Sequence, residues 1–270
     1  MYPKLKYSLH LLFVLLFLSC DTDQVEDLLS GFSDENIPPI TTINQTVATY
    51  YSSSVNLNWT GNEYATSFRY RLEPLSYTNV VMTYTNWSEW DTLNTVIFTN
   101  LDDGSYNFYI KSRYTVENEE IPQSVNFIVD AITGPALRIY PLYKQVSPNE
   151  IFNVYIYVED VVDLAGLEMH LSYPSSNFSA NTVSPGDILS SSTIFFDTIN
   201  STDGSIELIC TAENFTGYTG SGAVAKISLT AGSIAGLDTL HIKDTSILRN
   251  SGNIPIDILN RMYGLIEVVE

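Results

Sequence analysis

The sequence predicts an all-β chain folded as two β-sandwiches in tandem, and three observations carry that expectation. Tyr and Phe number 18 and 12 in 270 residues, and with abundant Thr, Val and Ile they suit the pleated, half-buried surface of strands. Apolar and polar residues alternate with period two in one short run after another, each bounded by Gly, Pro, Asn or Asp. That is the pattern of strands with one face in a core and one in water. Few windows have helix-forming composition, which argues against an α/β architecture. A hydrophobic share of 44% suffices for a sizeable core, and the length allows one large or two medium domains.

The first nineteen residues read as an address. Lys4 and Lys6 precede an unbroken apolar run from Leu11 to Leu18, shorter than the roughly 20 residues a membrane span needs but right for a secretory signal. Ser19 and Cys20 follow at once. This arrangement resembles the lipobox of bacterial lipoproteins, although Phe17 stands where that family usually has Leu. The resemblance implies that residues 1–19 are a lipoprotein signal peptide and that Cys20 is lipidated and becomes the first residue. Residues 20–36 then form an acidic tether, with Asp21, Asp23, Glu26 and Asp27 near its start. Such a segment is expected to stay solvated and disordered. Acids directly after the lipidated Cys resemble the surface-export signals of some Gram-negative lipoproteins, which implies an outer-membrane, surface-exposed location.

The whole chain carries 12 basic against 31 acidic residues, a formal charge of −19. Loss of Lys4 and Lys6 with the leader leaves 10 against 31, or −21. That balance excludes nucleic acid as a partner, because phosphate recognition needs basic patches. It equally excludes charge-driven docking on an anionic lipid surface. With Cys20 consumed by lipid, Cys210 has no partner for a disulfide within the chain. Its place in an alternating strand predicts a buried, inert thiol.

Residues 37–131 predict the first sandwich. Ile37-Pro38-Pro39-Ile40 reads as an extended entry. Val55, Leu57 and Trp59 form one apolar stripe, Phe68, Tyr70 and Leu72 a second, and Tyr106, Phe108 and Ile110 a third. Thr60-Gly61-Asn62 and Leu101-Asp102-Asp103-Gly104 supply turns. The Leu, the Gly turn and Tyr106 at this spacing, together with Trp59, resemble a fibronectin type III domain, which implies a spacer or recognition role. Trp87-Ser88-Glu89-Trp90 could offer two indoles, Trp87 and Trp90, as a platform for sugar rings, or the pair could simply pack over the sheet edge. The motif is also similar to the Trp-Ser-x-Trp element of cytokine receptors, but it precedes the corner-Tyr strand, where that element comes later.

Residues 135–270 predict the second sandwich, after Gly134-Pro135. Stripes run through Phe152, Val154, Ile156 and Val158, then Leu167, Met169, Leu171 and Tyr173, then Ile206, Leu208, Cys210 and Ala212, and then Ala223, Ala225, Ile227 and Leu229. About nine strands are expected, the size of a jelly roll. This half resembles a cohesin domain along its whole length. The matching stretches, in order, are Ser147-Pro148-Asn149-Glu150-Ile151-Phe152, Asp163 to Pro174, Ser184-Pro185-Gly186-Asp187, Phe196-Asp197, Asp203-Gly204-Ser205-Ile206, Gly220 to Ile227, and Tyr263 to Val268.

Cohesins bind dockerins, small calcium-loaded helical modules often attached to enzymes that degrade plant polysaccharides. The resemblance implies a docking surface on one outer sheet face. Alternation assigns Gly166, Glu168, His170 and Ser172 to it from one strand, Asp197 and Ile199 from a second, and Glu207, Ile209, Thr211 and Glu213 from a third. Acids and hydroxyls around an apolar Ile suit a partner helix carrying Ser, Thr, Lys or Arg. Gly166 stands where well-studied cohesins place Asn, whereas Glu168 retains the acid two residues on.

No catalytic machinery is expected. Gly220-Ser221-Gly222-Ala223-Val224-Ala225 nominally fits a phosphate-binding loop, but that motif must open a helix and the residues after it alternate as a strand. No Gly-x-Ser-x-Gly elbow occurs. His170 and His241 lack metal-ligand spacing with Cys210, so neither a metal nor a cofactor is predicted. The expectation is a non-catalytic binding lipoprotein of the bacterial cell surface whose second sandwich recruits a dockerin-like or other extracellular protein. Direct polysaccharide binding, through Trp87, Trp90 or the tyrosines 155 and 157, and a structural adhesin are the alternatives.

Overall fold

The computed structural model describes residues 37–45, 48–75, 86–116, 118–188 and 194–270. The expected signal peptide and acidic tether, with Cys20, lie outside them. Among the described residues the only helical element is a three-residue 3-10 turn, Glu213–Phe215. The protein is all-β, as its alternation predicts.

The first sandwich contains β1 (Thr41–Ile43), β2 (Thr49–Tyr50), β3 (Val55–Gly61), β4 (Ser67–Leu75), β5 (Thr95–Phe98), β6 (Gly104–Arg113) and β7 (Gln123–Val129). Its two sheets are β1-β3-β5 and β2-β7-β6-β4. Between them lie Val55, Leu57, Trp59, Phe68, Leu72, Tyr106, Phe108, Ile110 and Phe127, all buried. The Tyr106 hydroxyl donates 2.7 Å back to the Asp102 carbonyl, the tyrosine corner that ties a turn to the strand it opens.

The second sandwich contains β8 (Ala136–Tyr140), β9 (Tyr143–Val146), β10 (Ile151–Ser172), β11 (Phe178–Pro185), β12 (Ile194–Asn200), β13 (Ser205–Thr211), β14 (Tyr218–Ala231), β15 (Gly236–Ile242), β16 (Ile247–Asn250), β17 (Pro255–Ile256), β18 (Asn260–Met262) and β19 (Gly264–Val268). The excess over about nine strands comes from short pieces such as β17 and β18. Two stripes that read as separate strands, 152–158 and 167–173, fall on the single 22-residue β10, except that Tyr173 lies just past its end. Register shifts fall between Ile156 and Leu164, with Asp160 and Asp163 at positive φ of 49° and 60°. Such bulges bend a strand. The first half of β10 pairs with β8 and β14, the second half with β13 and β16. One strand thus serves both layers around a core that includes Val154, Ile156, Leu167, Met169, Leu171, Leu208 and Cys210. Burial pushes the Cys210 thiol up to about 12, so it stays protonated at neutral pH.

Candidate protein-docking face

The second half of β10 lies between β13 and β16, and β12 pairs with β13 at the sheet's margin. Residues directly opposite each other across a ladder share a face. The register therefore defines three outward rows. One runs Arg249, Gly166, Thr211, Ile194; the next Ile247, Glu168, Ile209, Phe196; the third His170, Glu207, Thr198. Ser172, opposite Ser205, extends the same face. The inward partners Leu167, Met169, Leu208 and Leu248 are buried in the core.

The middle row is apolar at its outer end. Phe196 is 69% exposed and Ile209 49%, a pair of large hydrophobic side chains open to water in neighbouring strands. Acids flank them. His170 Nε2 lies 3.2 Å from Glu168 Oε1, and its Nδ1 lies 3.8 Å from Glu207 Oε1. The imidazole thus bridges carboxylates from two strands, and it holds its own strand place through a detour. The His170 N–H donates to Ser246 Oγ at 3.0 Å, and the Lys243 N–H donates to the His170 carbonyl at 2.8 Å. A side chain stands in for one missing ladder bond where β15 passes into β16.

Three sequence assignments change. Asp197 and Ile199 are not on this face: they sit opposite Leu208 and Ile206, and Ile199 packs against the core together with Phe195. Asp197 shares that side of β12 yet stays exposed. The run Ile194-Phe195-Phe196-Asp197-Thr198-Ile199 has apolar residues on both parities, so alternation cannot orient it and only the register with β13 does. Glu213 lies beyond the strand. β13 ends at Thr211, and Glu213 opens the 3-10 turn in which Asn214 and Phe215 take positive φ. Gly166, Glu168, His170, Ser172, Glu207, Ile209 and Thr211 do come together on one surface. Sequence reasoning missed Phe196, Ile194, Thr198, Ile247 and Arg249, and of these Ile247 and Arg249 carried a signal, in the alternation of Ile247, Leu248 and Arg249.

Trp87 and Trp90 lie in the other sandwich. Their segment runs beside β4, with Ser88 N donating to the Tyr70 carbonyl (2.8 Å) and Phe68 and Asp91 exchanging backbone bonds of 2.7 and 2.9 Å. The indoles meet cations from β4 and β6. The Arg69 guanidinium sits 5.3 Å from the Trp87 ring and 4.7 Å from Trp90, Arg71 sits 5.1 Å from Trp87, and Arg113 sits 4.2 Å from Trp90. Cation–π contacts of this kind use the ring faces on which a sugar would stack. Tyr157, the other aromatic considered for sugars alongside Tyr155, is buried.

Solved structures with similar folds include a non-cellulosomal cohesin from the archaeon Archaeoglobus fulgidus (13% identity, covering 50% of this chain and 91% of that one, TM-score 0.43). They also include the OlpA cohesin of Clostridium thermocellum in a type I cohesin–dockerin complex (15%, 50% and 98%, TM-score 0.45). A third is the sixth cohesin of Acetivibrio cellulolyticus scaffoldin B in complex with a dockerin (17%, 51% and 100%, TM-score 0.44). Comparison with curated proteins finds no match. The family model that matches is that of the cohesin domain; it spans residues 143–258, and every strand of the face described above lies within it.

Proposed function

We propose that this chain is a non-catalytic receptor held at the bacterial cell surface by lipid on Cys20. Its fibronectin type III-like first sandwich is the spacer, and its cohesin domain recruits a dockerin-type module of an extracellular polysaccharide-degrading enzyme. The observation that carries this reading is the outward row Glu168, Ile209, Phe196. An exposed apolar pair fringed by Glu168, Glu207 and hydroxyl groups suits an amphipathic helix whose basic residues meet the acids while its apolar residues cover Phe196. The cohesin family match, and the dockerins bound to two of the cohesins named above, support a partner of that kind. Bacterial lipoproteins carry more than one acyl chain, which makes retention in the membrane stable.

The test is capture from the native secretome on immobilised full-length chain, in calcium and with chelator. Calcium-dependent capture of a hydrolase, abolished by Phe196→Asp with the fold intact by circular dichroism, is the expected result. Capture that Phe196→Asp leaves unchanged would remove this face from the function. The anchor has its own check. Cys20→Ala is expected to abolish metabolic labelling by palmitate and to release the protein from the membrane fraction.

A further inference from the structure

β8 departs from what a two-layer sandwich requires. Its inward residues Leu137 and Ile139 belong to the core, but its outward residues Ala136, Arg138 and Tyr140 are also 0% exposed. A strand buried on both faces needs a further layer over it, and here the first sandwich's corner turn contributes that layer. Arg138 Nη1 donates to Asp102 Oδ1 at 2.6 Å, while its Nη2 and Nε donate to Glu159 Oε1 at 2.6 and 2.9 Å. The guanidinium also lies against Tyr140 and Tyr157, 4.9 and 4.6 Å from the ring centres. Asp102 accepts a second bond, from the Leu142 N–H at 3.0 Å.

The connection between the sandwiches is fastened as well. Asp103 accepts the N–H groups of Ala131 and Ile132 at 2.7 and 3.0 Å. Asn260 donates 2.7 Å to the Thr133 carbonyl, and Leu259 N donates 2.8 Å to that of Pro135. Ile132 is buried with Ala136 and Leu142.

We propose that the two sandwiches form one rigid body, latched by Arg138, so that the docking face keeps a fixed orientation relative to the first sandwich. The division of labour follows from the energetics of buried ions. A buried ion pair adds little net attraction, because opening the joint would rehydrate both charges. Burial of Ile132, from the connection, with Ala136 and Leu142 supplies the attraction. The charges supply the angle, since only one mutual orientation satisfies Asp102, Arg138, Glu159 and the Leu142 amide together. The joint does not depend on what the face binds.

Pulsed electron–electron resonance tests it on the full chain with Cys20→Ser, spin-labelled through Ser124→Cys in β7 and Ser179→Cys in β11; the buried Cys210 stays unlabelled. One narrow distance distribution is expected, broadened by Asp102→Ala with Asp103→Ala. A second readout needs no label. All three Trp lie in the first sandwich, so Trp fluorescence follows its unfolding alone, while circular dichroism follows both. The two transitions are expected to coincide in the unmodified chain and to separate in the double variant. A broad distribution or separated transitions in the unmodified chain would overturn the proposal, even if the double variant failed to fold. So would a folded double variant that kept a narrow distribution.

Discussion

The two halves of β10 present outward faces that read alike in sequence and behave oppositely. From the first half point Tyr155, Tyr157 and Glu159; from the second, Gly166, Glu168 and His170. Both alternate with core residues. Yet Tyr157 and Glu159 are buried, Glu159 on the same Arg138 that Asp102 of the first sandwich also holds, whereas Glu168 is partly open to water beside Ile209 and Phe196. The difference lies in where each acid finds its countercharge. Glu159 meets a buried Arg138 at 2.6 Å. Glu168 and Glu207 share only the imidazole of His170. A polar face whose charges are satisfied internally is a joint between domains; one whose acids gather around exposed apolar side chains is open to a partner.

Arg138→Ala separates the two faces most strongly. It leaves Asp102 and Glu159 buried together without their cation, and removing one member of a buried pair costs about 3–5 kcal/mol. Urea unfolding should register a loss of that size. Phe196→Ala, on the open face, should change stability by less than about 0.5 kcal/mol. Equal losses in the two variants would mean that both faces are covered.

Acidity probes the joint next. Burial pushes the Asp102 carboxyl from 3.8 up to about 6, against the pull of Arg138. The folded chain therefore holds this proton more tightly than the unfolded chain does. The resulting stabilisation is complete below about pH 3.8 and is lost as pH rises through about 6. Its full size is on the order of 3 kcal/mol. Asp102→Asn cannot titrate. The stability of the unmodified chain relative to that variant should fall across this window and level off above it. Parallel curves would place Asp102 in water.

Much of this arrangement was legible in the sequence because each stripe has a clear parity. Leu167, Met169 and Leu171 are apolar and their neighbours Glu168 and His170 are not, so the outward set of β10 needed no structure. The same holds for Glu207 and Ile209 in β13. The corner turn at Leu101–Gly104 was legible as a turn, and Tyr106 as its anchor. What sequence could not supply was pairing between distant segments. β12 has hydrophobic residues on both sides, so its orientation comes from β13. Arg138 looks like an ordinary outward cation in β8; Tyr140, Tyr157 and Glu159 of its own sandwich and Asp102 of the other enclose it together. Glu213 continues the alternation of β13 after the backbone has left the ladder, whose last bond is from the Ala212 N–H to the Ala165 carbonyl.

The smallest expected effect concerns the row that lacks a side chain. Gly166 sits between Thr211 and Arg249 in an interior strand, where glycine costs roughly 0.5–1 kcal/mol relative to alanine through its greater freedom in the unfolded chain. Nothing at this position demands glycine. A Cβ built there would lie 3.6 Å from the Cys210 carbonyl oxygen, 3.7 Å from Thr211 Cγ2 and 3.9 Å from Arg249 Cβ, all ordinary contacts. Gly166→Ala should therefore raise stability by up to about 1 kcal/mol, read as a higher urea midpoint with an unchanged slope. Because Gly166 is already buried among its neighbours, the added methyl group should leave partner capture nearly unaltered. A stability gain accompanied by lost capture would mean that a partner's backbone reaches into the gap between Thr211 and Arg249, and would move the centre of the docking face from Phe196 toward Gly166.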